Sequence, residues 1–198
     1  ILTHYRRWHF DTFCAHKFDI RILNADSLPE NFGLYALQYT PESSINGLEP
    51  YYVDQLRVID ALLAAMPSGY SLLVKEHPAI VGLRPKTFYL ELKRRAGVIL
   101  VSPDVDTRAL LLAARFVATV TGTIGLESYL LGKPCILFGR NFFSHLCLRA
   151  NGLSDLRQVI LHATGSFVPP SQADRTRELA RLLAVGLPFD LGDPIANP

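Results

Sequence analysis

The sequence predicts an α/β domain, a doubly wound parallel sheet of about five strands with extra helices at its C-terminal end. Three observations point to it. Short apolar runs of strand length alternate with stretches of helical periodicity between residues 33 and 138. The runs are apolar on successive residues, as expected of strands covered by helices on both faces. The segments between them carry the Gly, Pro, Ser and Asp residues that turns require.

The elements follow in order. Residues 33–40, GLYALQYT, read as a strand ending in the polar segment Pro41-Glu42-Ser43-Ser44-Ile45-Asn46-Gly47. Over residues 50–66, Val53, Leu56, Ile59, Leu62 and Leu63 recur at helical spacing, with Pro50 in the first turn and Pro67-Ser68-Gly69 as the stop. Residues 70–76 form the second strand, which delivers His77-Pro78. A helix over 85–95, a strand over 98–101, a helix over 106–115 and a strand over 116–120 continue the alternation. The turn Thr121-Gly122-Thr123-Ile124-Gly125 opens a helix to Leu131, and Gly132-Lys133-Pro134 closes it before a strand over 135–138. Residues 142–149, 153–162 and 172–185 are patterned as helices, with 164–171 as a connector.

Crossovers that hold a helix return the chain in the same direction, so the sheet is expected to be parallel. In the order 3-2-1-4-5 the first and fourth strands are neighbours, and a crevice opens at their carboxyl ends. The loops at residues 39–46 and 121–125 face that crevice, and the second strand brings His77 to the same rim.

Composition narrows the function classes. The chain has 198 residues, 49% hydrophobic and 19% charged, which fits a core-forming domain rather than a disordered one. A formal net charge of +2 without a basic stripe argues against nucleic acid as a partner. Cys14, Cys135 and Cys147 lack any CxxC spacing, so they suggest neither a disulfide framework nor a zinc site, and a reducing compartment fits. No apolar run approaches the roughly 18 residues of a membrane span. Position 1 is not methionine, and it is expected to be an excision point. Residues 1–30 are read as a linker or helix from an upstream domain, 31–186 as the sheet domain and 187–198 as a tail.

Candidate site residues cluster at the expected rim. At Thr121-Gly122-Thr123 a buried strand turns into a helix, where free amides and the helix dipole favour an anion and two hydroxyls add donors. Simple capping and close packing by the glycines explain the same pattern without a ligand. Glu127, four residues after Thr123, projects toward the helix start and suits the two hydroxyls of a ribose; a charge–dipole interaction is the plainer account. His77 can donate to a phosphate and stabilise a departing nucleotide, which makes it the catalytic candidate, although a lone histidine is more often structural. Its neighbour Glu76 and the loop residues Gln38, Glu42, Ser43 and Ser44 complete the substrate-binding candidates, with an ordinary polar turn as the alternative for the loop. Asp104-Val105-Asp106 has the Asp-x-Asp form of a cation site, but helix capping at Asp106 suffices. Lys133 and Arg140 are further phosphate partners by charge alone.

Taken together, LQYTPESSINGLEPYYVDQL, LLVKEHPAI and VTGTIGLESYLLGKPCILFGRNFF resemble the nucleotide-binding half of capsule polysaccharide biosynthesis glycosyltransferases, the Kdo-transferase-like proteins of the GT-B fold. The resemblance covers residues 33–143 and implies a Rossmann-like, nucleotide-sugar-binding domain that uses a donor such as CMP-Kdo, with no metal or other cofactor. By position, His77 and Thr121-Gly122-Thr123 would hold the nucleotide phosphate and Glu127 the ribose. Ser128 stands where such proteins often have alanine. The acceptor, a glycan or glycolipid, and the catalytic base would belong to an N-terminal domain for which this chain has no room, so the chain alone is expected to be inactive. The resemblance implies a cytoplasmic protein and leaves room for peripheral association of the full-length protein with the inner face of the inner membrane. A UDP-sugar 2-epimerase-like enzyme, a polyol-phosphate polymerase-like enzyme and a non-catalytic Rossmann-like module are the alternatives, separated by base preference and by the presence of bound nucleotide.

Overall fold

Side-chain alternation along the strands sets the architecture. In the computed structural model, residues 27–39, 52–77, 80–81, 83–102, 104–150 and 153–185 are described. The candidates Glu42, Ser43 and Ser44, most of the expected upstream segment and the expected tail lie outside them. The strands are β1 (Phe32–Ala36), β2 (Ser71–Lys75), β3 (Val98–Val101), β4 (Phe116–Thr119) and β5 (Cys135–Leu137). They lie in the order β3-β2-β1-β4-β5, every neighbouring pair parallel, as the sequence predicts.

The helices among the described residues are α1 (Gln55–Ala65), α2 (Lys86–Lys93), α3 (Thr107–Ala113), α4 (Ile124–Leu130), α5 (Leu153–Leu161) and α6 (Gln172–Val185). One face of the sheet presents Tyr35, Leu72, Val74, Phe116 and Ile136 to Ile59 and Leu62 of α1, Leu92 of α2 and Ile160 of α5. The opposite parity, Leu34, Leu73, Val101 and Val117, packs on Leu110 and Leu111 of α3 and Ile124 of α4. Each strand is thus buried on both sides, the physical reason its sequence reads as a continuous apolar run. Gly33 pairs in register with Phe116, whose ring fills the space a Cβ there would take.

Two sequence expectations need correction. Helix α1 begins at Gln55 rather than near Pro50, because the Asp54 carboxylate accepts from Leu56 N at 3.2 Å and caps it. Val53, counted on its apolar face, is 40% exposed and precedes the helix. Residues 142–149 are not a helix. They hold a single 3-10 turn at Ser144–Leu146, after which Leu148 bridges Ile136 beside β5. Asn141 and Ser144 divert the backbone: Asn141 Oδ1 accepts from Phe143 N at 3.1 Å, and Ser144 Oγ accepts from Asn141 N at 2.7 Å. Beyond α5 a π-helical segment, His162–Ser166, takes up the start of the expected connector. No helix among the described residues is long and apolar enough to cross a membrane.

Candidate functional site

The carboxyl ends of β1, β2 and β4 open on one cleft of about 650 Å³. It is lined by Gln38, Tyr39, Lys75, Glu76, His77, Thr121, Gly122, Thr123 and Glu127, and by residues 140–143 after β5. Three turns far apart in sequence meet here because β1 and β4 are neighbours whose following segments diverge. A second cavity of about 640 Å³, lined in part by Val58, Ala61, Ala65, Phe138 and Leu156, contains none of the candidate residues.

At the turn into α4, Gly125 N bonds to Gly122 O at 3.0 Å, while Leu126 N and Glu127 N bond to Thr123 O at 2.9 and 3.1 Å. Gly122 N is satisfied by Thr119 Oγ1 at 3.3 Å. The amides of Thr123 and Ile124 donate to no group among the described residues, and both residues line the cleft. Thr123 caps α4 without a side-chain bond, so its exposed hydroxyl is not consumed by capping. Glu127 stands exposed in the first turn of α4, on the cleft, and no described residue pairs with its carboxylate.

The glycines serve packing. A Cβ on Gly122 would stand 2.8 Å from both Gln38 Nε2 and Thr119 Oγ1. On Gly125 it would meet Phe143 Cε2 at 3.0 Å and Cys135 Sγ at 3.3 Å. Ser128, where alanine is common in the resembling proteins, is fully buried and donates to Ile124 O at 2.7 Å. Its hydroxyl is therefore satisfied inside the helix.

Gln38 and Glu76 hold the walls of the cleft from within; they are 6% and 1% exposed. The Gln38 amide donates to Thr119 Oγ1 and accepts from Thr121 Oγ1 at 3.4 Å, joining β1 to the β4 turn. Gln55 of α1 accepts from Gln38 N at 2.7 Å and donates to Gln38 O at 3.3 Å. Glu76 accepts from Arg84 Nε at 2.8 Å, from the Tyr89 hydroxyl at 2.7 Å and from His77 N at 2.7 Å. Arg84 also donates to Gln38 O. One buried polar chain therefore links the ends of β1, β2 and β4.

His77 itself is exposed on the cleft, its ring edge-on to Tyr39 at 6.0 Å between centroids and 72° between planes. Lys75 is buried, with Nζ 2.8 Å from Val105 O and 3.5 Å from Ser102 O. Burial pushes its pKa down, against the opposing pull of the Asp106 carboxylate. Asp106 caps α3 by accepting from Arg108 N at 3.1 Å and Ala109 N at 3.2 Å, the role that sufficed in the sequence. Lys133 stands away from the cleft and donates to Ala114 O at 3.2 Å.

Sequence reasoning missed Arg84, Tyr89 and the Lys75 ammonium, as well as Asn141, which donates to Thr121 O at 3.2 Å, and Phe142, 69% exposed at the cleft edge. Arg84 reaches Glu76 through a loop whose spacing follows no period, so no sequence signal marked the pair. The position of Lys75 one residue before Glu76, at the end of a buried strand, was such a signal.

The sequence profile of a family described as capsule polysaccharide biosynthesis protein matches residues 15–176. No curated protein matches the chain. Among solved structures, UDP-GlcNAc 2-epimerase from Methanocaldococcus jannaschii superposes with a TM-score of 0.56 at 12% identity, covering 92% of this chain and 50% of that one. Thermosulfurimonas dismutans KpsC, beta Kdo 2,7 transferase, gives 0.50 at 15% identity, over 92% of this chain and 62% of its own. Its beta Kdo 2,4 transferase counterpart gives 0.50 at 18% identity, over 82% and 55%. The chain spans less than two thirds of each of these proteins, and at such identities the likeness is one of fold. The profile match extends over most of the chain's length, and the protein belongs to the capsule polysaccharide biosynthesis family.

Proposed function

We propose that this chain is the donor-binding half of a GT-B glycosyltransferase of bacterial surface or capsular polysaccharide synthesis, and that its cleft holds the nucleotide of a CMP-sugar, with CMP-Kdo as donor. The observation that carries the reading is the pair of unengaged amides at Thr123 and Ile124, facing the same cleft as the His77 imidazole. A phosphate seated there receives backbone donors at a helix start, the Thr123 hydroxyl, and His77 from the opposite wall. Family membership and the fold likeness to Kdo transferases support the choice of donor. The cleft volume, about 650 Å³, falls within the range of small-ligand sites.

In this arrangement Glu127 accepts from the ribose hydroxyls. When the bond from the anomeric carbon to the phosphate oxygen breaks, negative charge gathers on the phosphate. Donors already fixed by the Gln38 and Glu76 network stabilise it without reorganising. His77 is the group that would act on the leaving nucleotide, and no divalent cation is required. The acceptor, a glycan or glycolipid, would be presented by a separate domain carrying the catalytic base, in a protein located in the cytoplasm at the inner face of the inner membrane.

Titration calorimetry in the presence of EDTA tests this directly. CMP is expected to bind weakly, and Glu127→Ala to reduce its affinity about tenfold, roughly 1.4 kcal/mol, without unfolding the domain. Unchanged affinity in that variant removes the ribose role. A preference for UDP over CMP favours an epimerase-like protein, and silence with CMP, UDP and dTDP alike overturns the donor site.

A further inference from the structure

We propose that Cys135 and Cys147 form a thiol-oxidation site, at which a hydroperoxide converts the pair to a disulfide that fastens the cleft-lining loop to the sheet. The two residues are neighbours on adjacent backbone segments. Ile136 bridges Leu148 in parallel, Leu148 N donates to Cys135 O at 2.8 Å, and Leu137 N donates to Leu148 O at 2.9 Å. Cys135 and Cys147 each precede that bridged pair by one residue. Adjacent strands run about 4.8 Å apart, within the roughly 4.4–6.8 Å that a disulfide spans between Cα atoms.

Both sulfurs also point to one place. A Cβ on Gly125 would stand 3.3 Å from Cys135 Sγ and 3.5 Å from Cys147 Sγ, so the absent side chain of that glycine leaves a niche they share. The interaction with Cys135, aided by the Arg149 charge, pulls the Cys147 pKa down against its partial burial, and the interaction with Cys147 together with burial pushes Cys135 up.

The chemistry divides accordingly. The Cys147 thiolate, partly accessible, attacks the peroxide oxygen; the O–O bond breaks, an alkoxide or hydroxide leaves, and Cys147 becomes a sulfenic acid. The buried Cys135 thiol then attacks the Cys147 sulfur. An S–S bond forms, the S–O bond breaks, and the hydroxide departs as water with the proton from Cys135. Two thiols are oxidised by two electrons and one peroxide is reduced. The closed ring contains Arg140, Asn141, Phe142 and Phe143, the segment after β5 that lines the cleft.

The test uses the full chain treated with hydrogen peroxide, then alkylated and digested with trypsin without reduction. Cleavage after Arg140 separates the two cysteines, so only a disulfide keeps their peptides together. The expected result is a linked pair in most of the oxidised protein, with Cys14 alkylated. The thermal midpoint should rise by roughly 6–12 °C and fall back with dithiothreitol. Cys147→Ser should lose both effects, and Cys135→Ser should stop at a Cys147 sulfenic acid that dimedone traps. A wild-type chain in which Cys147 proceeds to sulfinic acid unlinked, in which Cys14 replaces either partner, or whose linked form melts no higher than the reduced one overturns the proposal. None of these readouts depends on nucleotide binding.

Discussion

Replacing Arg84 by methionine should expose how the cleft is held. Its guanidinium pairs with Glu76 at 2.8 Å, with side-chain exposures of 6% and 0%. Loss of the charge strands a buried carboxylate that keeps only the neutral donors Tyr89 OH and His77 N, each at 2.7 Å. Removing one partner of a buried pair costs about 3–5 kcal/mol, against a typical domain stability of about 5–15 kcal/mol. The contact of Arg84 with the Phe88 ring, 4.9 Å to its centroid, is a smaller loss. Urea unfolding with linear extrapolation measures the difference. Arg84→Lys keeps the charge but not the fork that reaches both Glu76 and Gln38 O, so an intermediate loss is expected. Glu76→Gln removes the orphaned charge, and the double variant should recover about 1–3 kcal/mol relative to the sum of the singles. An Arg84→Met loss below about 1 kcal/mol, or a cycle additive within about 0.5 kcal/mol, refutes a buried pair that fastens β1 to β2.

Four further outcomes follow from contacts elsewhere in the fold. Gly122→Ala should lose about 1–3 kcal/mol in urea unfolding, because its methyl meets the bonded Gln38 and Thr119 side chains. Gly165→Ala, with open space around its Cβ, should instead gain about 0.4–1 kcal/mol. Tyr35→Phe deletes a buried hydroxyl that has no hydrogen-bond partner among the described residues and should raise stability by up to about 1 kcal/mol. Ser171→Ala breaks the reciprocal pair at the start of α6, in which Ser171 Oγ accepts from Asp174 N at 3.1 Å and donates to Asp174 Oδ2 at 2.6 Å. That bond holds the Asp174 carboxyl below the usual range, so its stabilisation is present above the unfolded pKa and lost as the pH falls through the folded one. The gap in thermal midpoint between wild type and variant should therefore narrow in acid.

The sheet was legible because strands buried on both faces cannot hide their composition. Leu72, Leu73 and Val74 are all fully buried and face alternate cores. The strand order is the commonest arrangement of a doubly wound sheet, 3-2-1-4-5, and not a consequence of the alternation alone. Local side-chain bonding was less legible: Asp54 set the start of α1 at Gln55 instead of near Pro50, and Asn141 with Ser144 removed a helix that periodicity favoured. At the cleft, the rim came from topology and the turn residues from composition, so His77, Thr123 and Glu127 were placed on one edge in advance. What sequence spacing cannot show is which polar side chains face inward. Gln38 and Glu76 were read as ligand contacts, yet both support the walls, and their partner Arg84 lies across a loop without periodicity. The turn glycines drew attention as a route for phosphate to the backbone, whereas Gly122 and Gly125 make room for the protein's own side chains.

Amide chemical shifts followed during a metal-free titration with CMP address the donor cleft most directly. Saturable changes are expected to centre on the Thr123 and Ile124 amides and to extend to His77 across the cleft, all with one dissociation constant. Unmoved Thr123 and Ile124 signals at saturating CMP, or changes confined to the apolar cavity beside α1 and α5, would contradict a phosphate seat at the start of α4.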